Sequence, residues 1–133
     1  ANAGNNVMDG NGGDDYFDGL LGNDNFTGGS GSDTFAYTTA LGANNVDRIQ
    51  DFETGVDRIA LDDAIFSALS AGDLAASAFV TGTAAVDADD RIIYNPTTGE
   101  LFYDADGSGS GEAVLFATLR LQPQIGAEDF FIF

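Results

Sequence analysis

A period of nine governs the start of this chain. Cut into consecutive blocks from Ala1, residues 1–36 read ANAGNNVMD, GNGGDDYFD, GLLGNDNFT and GGSGSDTFA. The fourth place is always glycine: Gly4, Gly13, Gly22, Gly31. The first place is Ala1, Gly10, Gly19, Gly28, the sixth Asn6, Asp15, Asp24, Asp33, and the eighth Met8, Phe17, Phe26, Phe35. Six residues rich in Gly and Asn can turn at positive φ with little steric cost, and the three around the apolar place can form a very short strand. Turn, strand, turn, strand closes one flattened coil every 18 residues, with successive blocks on opposite sheets. Met8 then lies over Phe26 and Phe17 over Phe35. One coil cannot bury its apolar row alone, so coils must stack.

Stacking brings acids together. Asp15 falls beside Asp33 and Asn6 beside Asp24, about 5 Å apart at strand spacing. Like charges that close are not tolerated in a buried position without a cation between them. Carboxylates plus carbonyls freed by glycine-rich turns form a hard oxygen set that suits Ca²⁺ with 6–8 ligands at roughly 2.3–2.6 Å, and suits the stricter octahedron of Mg²⁺ less well.

Composition narrows the chemistry further. Among 133 residues there are 18 Asp but only 4 Glu, against 4 Arg and no Lys, for a net charge of -18. Such a chain repels phosphate backbones and anionic lipid, so no nucleic-acid partner and no stable membrane insertion are expected. The absence of His and Cys excludes nitrogen- and sulfur-ligated zinc, Ser-His-Asp and Cys nucleophile chemistry, and disulfides. Paired carboxylates are also the equipment of a glycosidase, but here they sit in the turn columns, where a ligand role explains them better. No catalytic residue is assigned. The 44% hydrophobic content is enough for a core, and no apolar run is long enough to span a bilayer. The chain shows no secretory signal peptide at its start and begins like a piece of something longer.

The blocks resemble the RTX calcium-binding nonapeptide family, with its pattern G-G-x-G-x-D-x-U-x. GGSGSDTFA matches in full, GLLGNDNFT lacks the second Gly, GNGGDDYFD has Asn11 there, and ANAGNNVMD has Asn6 in place of Asp. The resemblance implies a parallel β-roll with Ca²⁺ between alternate turns. One turn gives the carbonyls of its second and fourth residues and its acid; the turn 18 residues later gives those of its first and third and its acid. Carried over, one ion would use Asn11, Gly13, Asp15, Gly28, Ser30 and Asp33. Another would use Asn2, Gly4, Asn6, Gly19, Leu21 and Asp24, weakened by the uncharged Asn6. Two or three ions are expected, with room for more.

Residues 46–61, VDRIQDFETGVDRIAL, read as two short strands about a Thr54-Gly55 turn and resemble the D-x-I-x-D-F-x-x-G-x-D-x-I-x-L stretch that follows RTX repeats. Asp51 lies 18 residues after Asp33 and keeps the coil phase, so it is a candidate to close a further site with Gly29, Gly31 and Asp33. Asp47 is the other candidate. Equally open is that both acids are solvated or pair with Arg48 and Arg58.

Residues 62–70 suggest a short helix, and 74–78 a second, capped by Asp73. Arg91–Tyr94 and Leu101–Tyr103 flank NPTTG as a hairpin, and Val114 to Leu121 reads as another strand. Residues 104–112, DADGSGSGE, start like a calcium loop but have Leu115 where an EF-hand needs Glu. They read as a hairpin loop, with Asp104, Asp106 and Glu112 as a weaker metal alternative.

The end, Glu128 to Phe133, resembles the C-terminal signal of type I secretion substrates, and as bare sequence it also reads as a final core strand. The expected fold is therefore mainly all-β: a short parallel β-roll over 1–36, capped by a β-rich region over 37–133 with one or two short helices, packed as one module. The expected role is a monomeric, non-enzymatic calcium-binding module of a secreted bacterial protein. It would be exported to the extracellular space by type I machinery, and its passenger, such as a protease or lipase, would lie upstream. The rival reading is a calcium-dependent adhesion or glycan-binding module, with Tyr94 and Tyr103 as its sugar contacts.

Overall fold

The computed structural model describes residues 3–109 and 111–133. Each nonapeptide contributes one three- or four-residue strand: β1 Val7–Asp9, β2 Tyr16–Asp18, β3 Asn25–Thr27 and β4 Thr34–Tyr37. β1 pairs in parallel with β3, with Met8 opposite Phe26, and β2 with β4, with Phe17 opposite Phe35. Odd strands build one sheet and even strands the other. The nine-residue period alone anticipates this two-sheet roll.

The roll continues past the fourth block. β5 (Asp47–Ile49) adds in parallel to β3, and β6 (Arg58–Leu61) to β4. Ile49 stacks on Phe26 and Ile59 on Phe35, so the eighth-place column extends by one coil. The C-terminal region then lays one more strand on each sheet. β11 (Val114–Leu119) runs parallel to β5, and β12 (Phe130–Ile132) runs parallel to β6. β11 also pairs with β10 (Glu100–Tyr103), which pairs with β9 (Ile92–Asn95) around the NPTTG turn, and β8 (Phe79–Thr81) closes that edge. On the other sheet the last strand is β7 (Gly72–Asp73), antiparallel to β12.

The core is the space between the sheets. Phe17 and Phe35 stack at 5.2 Å with planes 9° apart, and Phe26 leans on both at 5.6 and 5.9 Å. Phe66, Tyr103, Tyr37 and Phe116 carry the aromatic packing onward in edge-to-face contacts near 5 Å. Each fully buried ring stabilises the fold by about 2–3 kcal/mol through surface removed from water.

The expected helices differ. Residues 62–70 form consecutive turns: Ile65 and Phe66 N–H donate to the Asp62 carbonyl and Leu69 N–H to Phe66. The Ala68 N–H is taken by the Tyr103 hydroxyl at 2.9 Å, which diverts the helical ladder. The second expected helix is a single 3-10 turn, Ala76–Ala78, and another, Ala127–Asp129, precedes β12. The strand expected to reach Leu121 stops at Leu119, because Leu121 and Gln122 take φ of 70° and 47°, outside extended backbone.

The tail is built into this core. Asp129 is buried and accepts N–H from Gly55 at 3.1 Å and from Gly126 at 2.9 Å, while Phe133 donates to Leu61 at 3.0 Å and accepts from Asp63 at 2.9 Å. Among the described residues, no helix is long and apolar enough to cross a membrane.

Candidate metal centre

The sixth-place acids stack as the coil predicts. The Asp33 carboxylate accepts the backbone N–H of Asp15 at 3.0 Å, and the Asp24 carboxylate accepts that of Asn6 at 2.7 Å. Each acid thus reaches back one coil with Oδ1. The other oxygen is left over: Oδ2 of Asp15, Asp24 and Asp33 is buried with no hydrogen-bond partner. A carboxylate oxygen in that state costs several kcal/mol unless something positive faces it.

The glycine columns make the space those oxygens occupy. A Cβ on Gly10 would sit 2.3 Å from Asp15 Oδ2 and 2.8 Å from the Gly28 carbonyl oxygen, so carboxylate and carbonyl converge on one cradle. A Cβ on Gly19 or Gly28 would meet Asp24 or Asp33 Oδ2 at 2.0 and 2.3 Å. One coil on, the Asn11 and Gly13 carbonyls approach Gly29 and Gly31 so closely that a Cβ would lie 1.9 and 2.3 Å from them, and the Gly4 carbonyl approaches Gly22 in the same way at 2.6 Å. Gly29 and Gly31 also take φ of 89° and 111°, which favours glycine there a second time.

Of the expected first ligand set, Asp15, Asp33 and the Gly28 carbonyl are thus brought together, while the Asn11 carbonyl also accepts the Ser30 N–H at 3.0 Å. In the second set, Asn2 lies outside the described residues. The Asn6 amide donates to Asp24 at 3.2 Å and to the Gly4 carbonyl, Gly19 faces the Asp24 carboxylate, and the Leu21 side chain is exposed.

Asp51 does not stand in the carboxylate column. Five residues, Tyr37 to Leu41, intervene after the fourth block, so a strict 18-residue count loses the phase. Asp51 instead accepts the N–H groups of Gly28 and Gly29, one on each oxygen at 2.8 Å, and so secures the entry to the fourth turn. Its column place is taken by Asp57, whose carboxylate accepts the Asp33 N–H at 2.9 Å. Asp47 stacks on Asp24, accepting its N–H at 3.0 Å, rather than on Asp33. The repeated Val-Asp-Arg-Ile at 46–49 and 56–59 is the sequence signal that marks both acids.

Electrostatics agree with a missing positive charge. Burial pushes the Asp47 carboxyl up to about 7, aided by the Asp24 and Asp18 charges and opposed by the Asp24 N–H. Asp33 and Asp57 are raised as well, by burial first and then by neighbouring acids, against the hydrogen bonds they accept. Tyr37, whose buried hydroxyl has no partner, is raised by burial and by Asp47 and Asp24. The arginines do not meet this need: the one ion pair among the described residues is Arg58–Asp73, at 3.4 Å on the surface. Among the described residues, no three acids converge to hold an ion by themselves. Each Asp–Asp level offers two carboxylates and backbone carbonyls, a hard oxygen set that fits Ca²⁺.

The loop at 104–112 is organised differently. Asp104 is buried and accepts the Asp106 N–H at 3.2 Å, while Asp106 closes the loop on the Gly111 N–H at 2.8 Å, and Glu112 is exposed. Tyr94 and Tyr103 are core residues, not sugar contacts: both are buried, and their hydroxyls meet the Pro123 carbonyl and the Ala68 N–H.

No curated protein gave a significant match to this chain. Residues 1–35 match the model of the RTX calcium-binding nonapeptide repeat, in 4 copies. That repeat is a calcium-binding, non-catalytic module, and the matched segment is the one whose turns hold the unpartnered carboxylate oxygens. Residues 1–35 of the chain thus carry RTX calcium-binding nonapeptide repeats.

Proposed function

We propose that this chain is a calcium-gated folding module at the carboxyl end of a larger exported bacterial protein. The observation that carries this reading is the buried, unpartnered Oδ2 on each of Asp15, Asp24 and Asp33. When bound, Ca²⁺ supplies the positive charge these oxygens lack. The chain's own residues do the rest. The glycine columns leave room for the carboxylates, the turn carbonyls complete the oxygen shell, and the eighth-place column packs only when the coils close. Where Ca²⁺ is scarce, a net charge of -18 opposes that closure. Extracellular modules bind Ca²⁺ with Kd of about 10⁻⁴ to 10⁻³ M, and a hundredfold excess adds about 3 kcal/mol of folding free energy per ion.

The carboxyl end fits the same order of events. An export machine that reads Glu128 to Phe133 needs them free, whereas in the folded module β12 is held between β6 and β7 with Asp129 hydrogen-bonded. Type I export of the unfolded chain with its passenger, followed by folding outside the cell, satisfies both. Circular dichroism in EGTA and then millimolar Ca²⁺ tests the gate: the β signal rises with calcium, and an unchanged spectrum sinks it. Deleting residues 128–133 from a passenger fusion tests the address: secretion stops, and undiminished secretion removes the tail from the proposal.

A further inference from the structure

The hydrogen-bond ladder that defines the ion levels does not stop where the matched repeats stop. Residues 42–50 (GANNVDRIQ) and 52–60 (FETGVDRIA) occupy the same frame as the first four blocks. Their sixth places are Asp47 and Asp57 and their eighth places are the fully buried Ile49 and Ile59. The five-residue insertion and the single residue Asp51 lengthen the chain between acids without breaking the column. The N–H to carboxylate contacts at Asp24–Asp47 and Asp33–Asp57, 3.0 and 2.9 Å, repeat the 3.0 Å contact at Asp15–Asp33.

The unpartnered oxygens follow a rule. They belong to the earlier acid of each charged pair: Asp15 before Asp33, Asp24 before Asp47, Asp33 before Asp57. No further acid of the column stacks on Asp57, and its second oxygen accepts the Glu53 N–H at 2.8 Å. The acids on which a later acid stacks are thus the ones left unsatisfied, whereas Asp57 is satisfied locally. Asp24 and Asp33 are 2% and 0% exposed, so solvent does not complete either one.

We infer that residues 42–60 are two further calcium-binding turns, outside the matched repeats, and that Asp47 and Asp57 ligate ions together with Asp24 and Asp33. The inference rests on the calcium reading above and extends it to three charged levels: Asp15–Asp33, Asp24–Asp47 and Asp33–Asp57. Asp51 ligates none of them.

Counting ions on the whole 133-residue chain tests it. Native mass spectrometry in calcium should give three tightly bound ions for the wild type, one fewer for Asp47→Asn and for Asp57→Asn, and an unchanged number for Asp51→Asn. An unchanged number for Asp47→Asn and Asp57→Asn overturns the inference. Because either variant can fail to fold, wild-type crystals soaked in Tb³⁺ give the second reading. Anomalous peaks beside Asp24–Asp47 and Asp33–Asp57 support it. A peak at Asp15–Asp33 alone overturns it while leaving the calcium module intact, and no peak at any level overturns both.

Discussion

Asp33 hands its backbone N–H to the Asp57 carboxylate at 2.9 Å while its own carboxylate takes the N–H of Asp15 at 3.0 Å. One residue therefore joins three coils, and its remaining buried oxygen faces nothing the protein supplies. Replacing Asp33 with Ala removes a ligand and an acceptor together. The calcium midpoint for folding, followed by circular dichroism, should rise at least about 100-fold, the equivalent of roughly 3 kcal/mol. A shift within about twofold would show that Asp33 is a bystander.

Gly28 and Gly42 offer a matched pair. A Cβ on Gly28 lands 2.3 Å from Asp33 Oδ2, whereas on Gly42 it meets nothing within 4 Å. Gly28→Ala should weaken calcium binding, and Gly42→Ala should leave it unchanged with stability altered by less than about 1 kcal/mol. Equal calcium titrations for the two variants would contradict the cradle.

The pH response should reverse between the calcium-free and calcium-loaded chain. Asp47 is raised from 3.8 to about 7, so without calcium its folded state holds a proton that the unfolded chain releases at lower pH. Its contribution to stability is fully present below an ordinary carboxylate pKa and is lost as pH rises through about 7. Asp33 and Asp57 act in the same direction. Thermal melts in EGTA should therefore move down from acidic to neutral pH, while calcium affinity rises over the same interval because the ion competes with those protons.

Phe26 is fully buried and touches both Phe17 and Phe35. Phe26→Ala should cost about 3–5 kcal/mol. Folding would then demand far more calcium, with the same number of ions bound at saturation. A reduced ion count would mean that the apolar column also shapes the levels directly.

Asp129→Asn tests the tail separately. The substitution weakens the ties to the Gly55 and Gly126 N–H groups. It should destabilise the calcium-loaded fold by about 1–3 kcal/mol in urea titrations without removing an ion. Loss of an ion would place the tail in the metal centre instead.

The roll was legible because its information is local. Four columns fix turn, strand and inward side chain within each nonapeptide, and Met8–Phe26 and Phe17–Phe35 stacking follows from the period. Asp47 and Asp57 were harder to place because the insertion at Tyr37–Leu41 breaks the count that pointed to Asp51. The duplicated Val-Asp-Arg-Ile could have restored it. The cap was legible as strands but not as topology. Nothing in Val114–Leu119 or Phe130–Ile132 announces that each runs parallel to a roll strand, since that choice is made by distant packing. The helix expected at 62–70 failed for a similar reason: the Tyr103 hydroxyl that takes the Ala68 N–H comes from 35 residues away.

Sharing Asp33 between two charged pairs makes the two sides of the roll unequal. On the side of Asp15, Asp33 and Asp57, filling one level positions a group that the next also requires, so uptake there should be steep and zipper-like. On the side of Asn6, Asp24 and Asp47 the uncharged Asn6 leaves a single charged pair, which should saturate as a lone clasp. A side-to-side asymmetry of cooperativity is thus written into one amide-for-acid difference at the sixth residue.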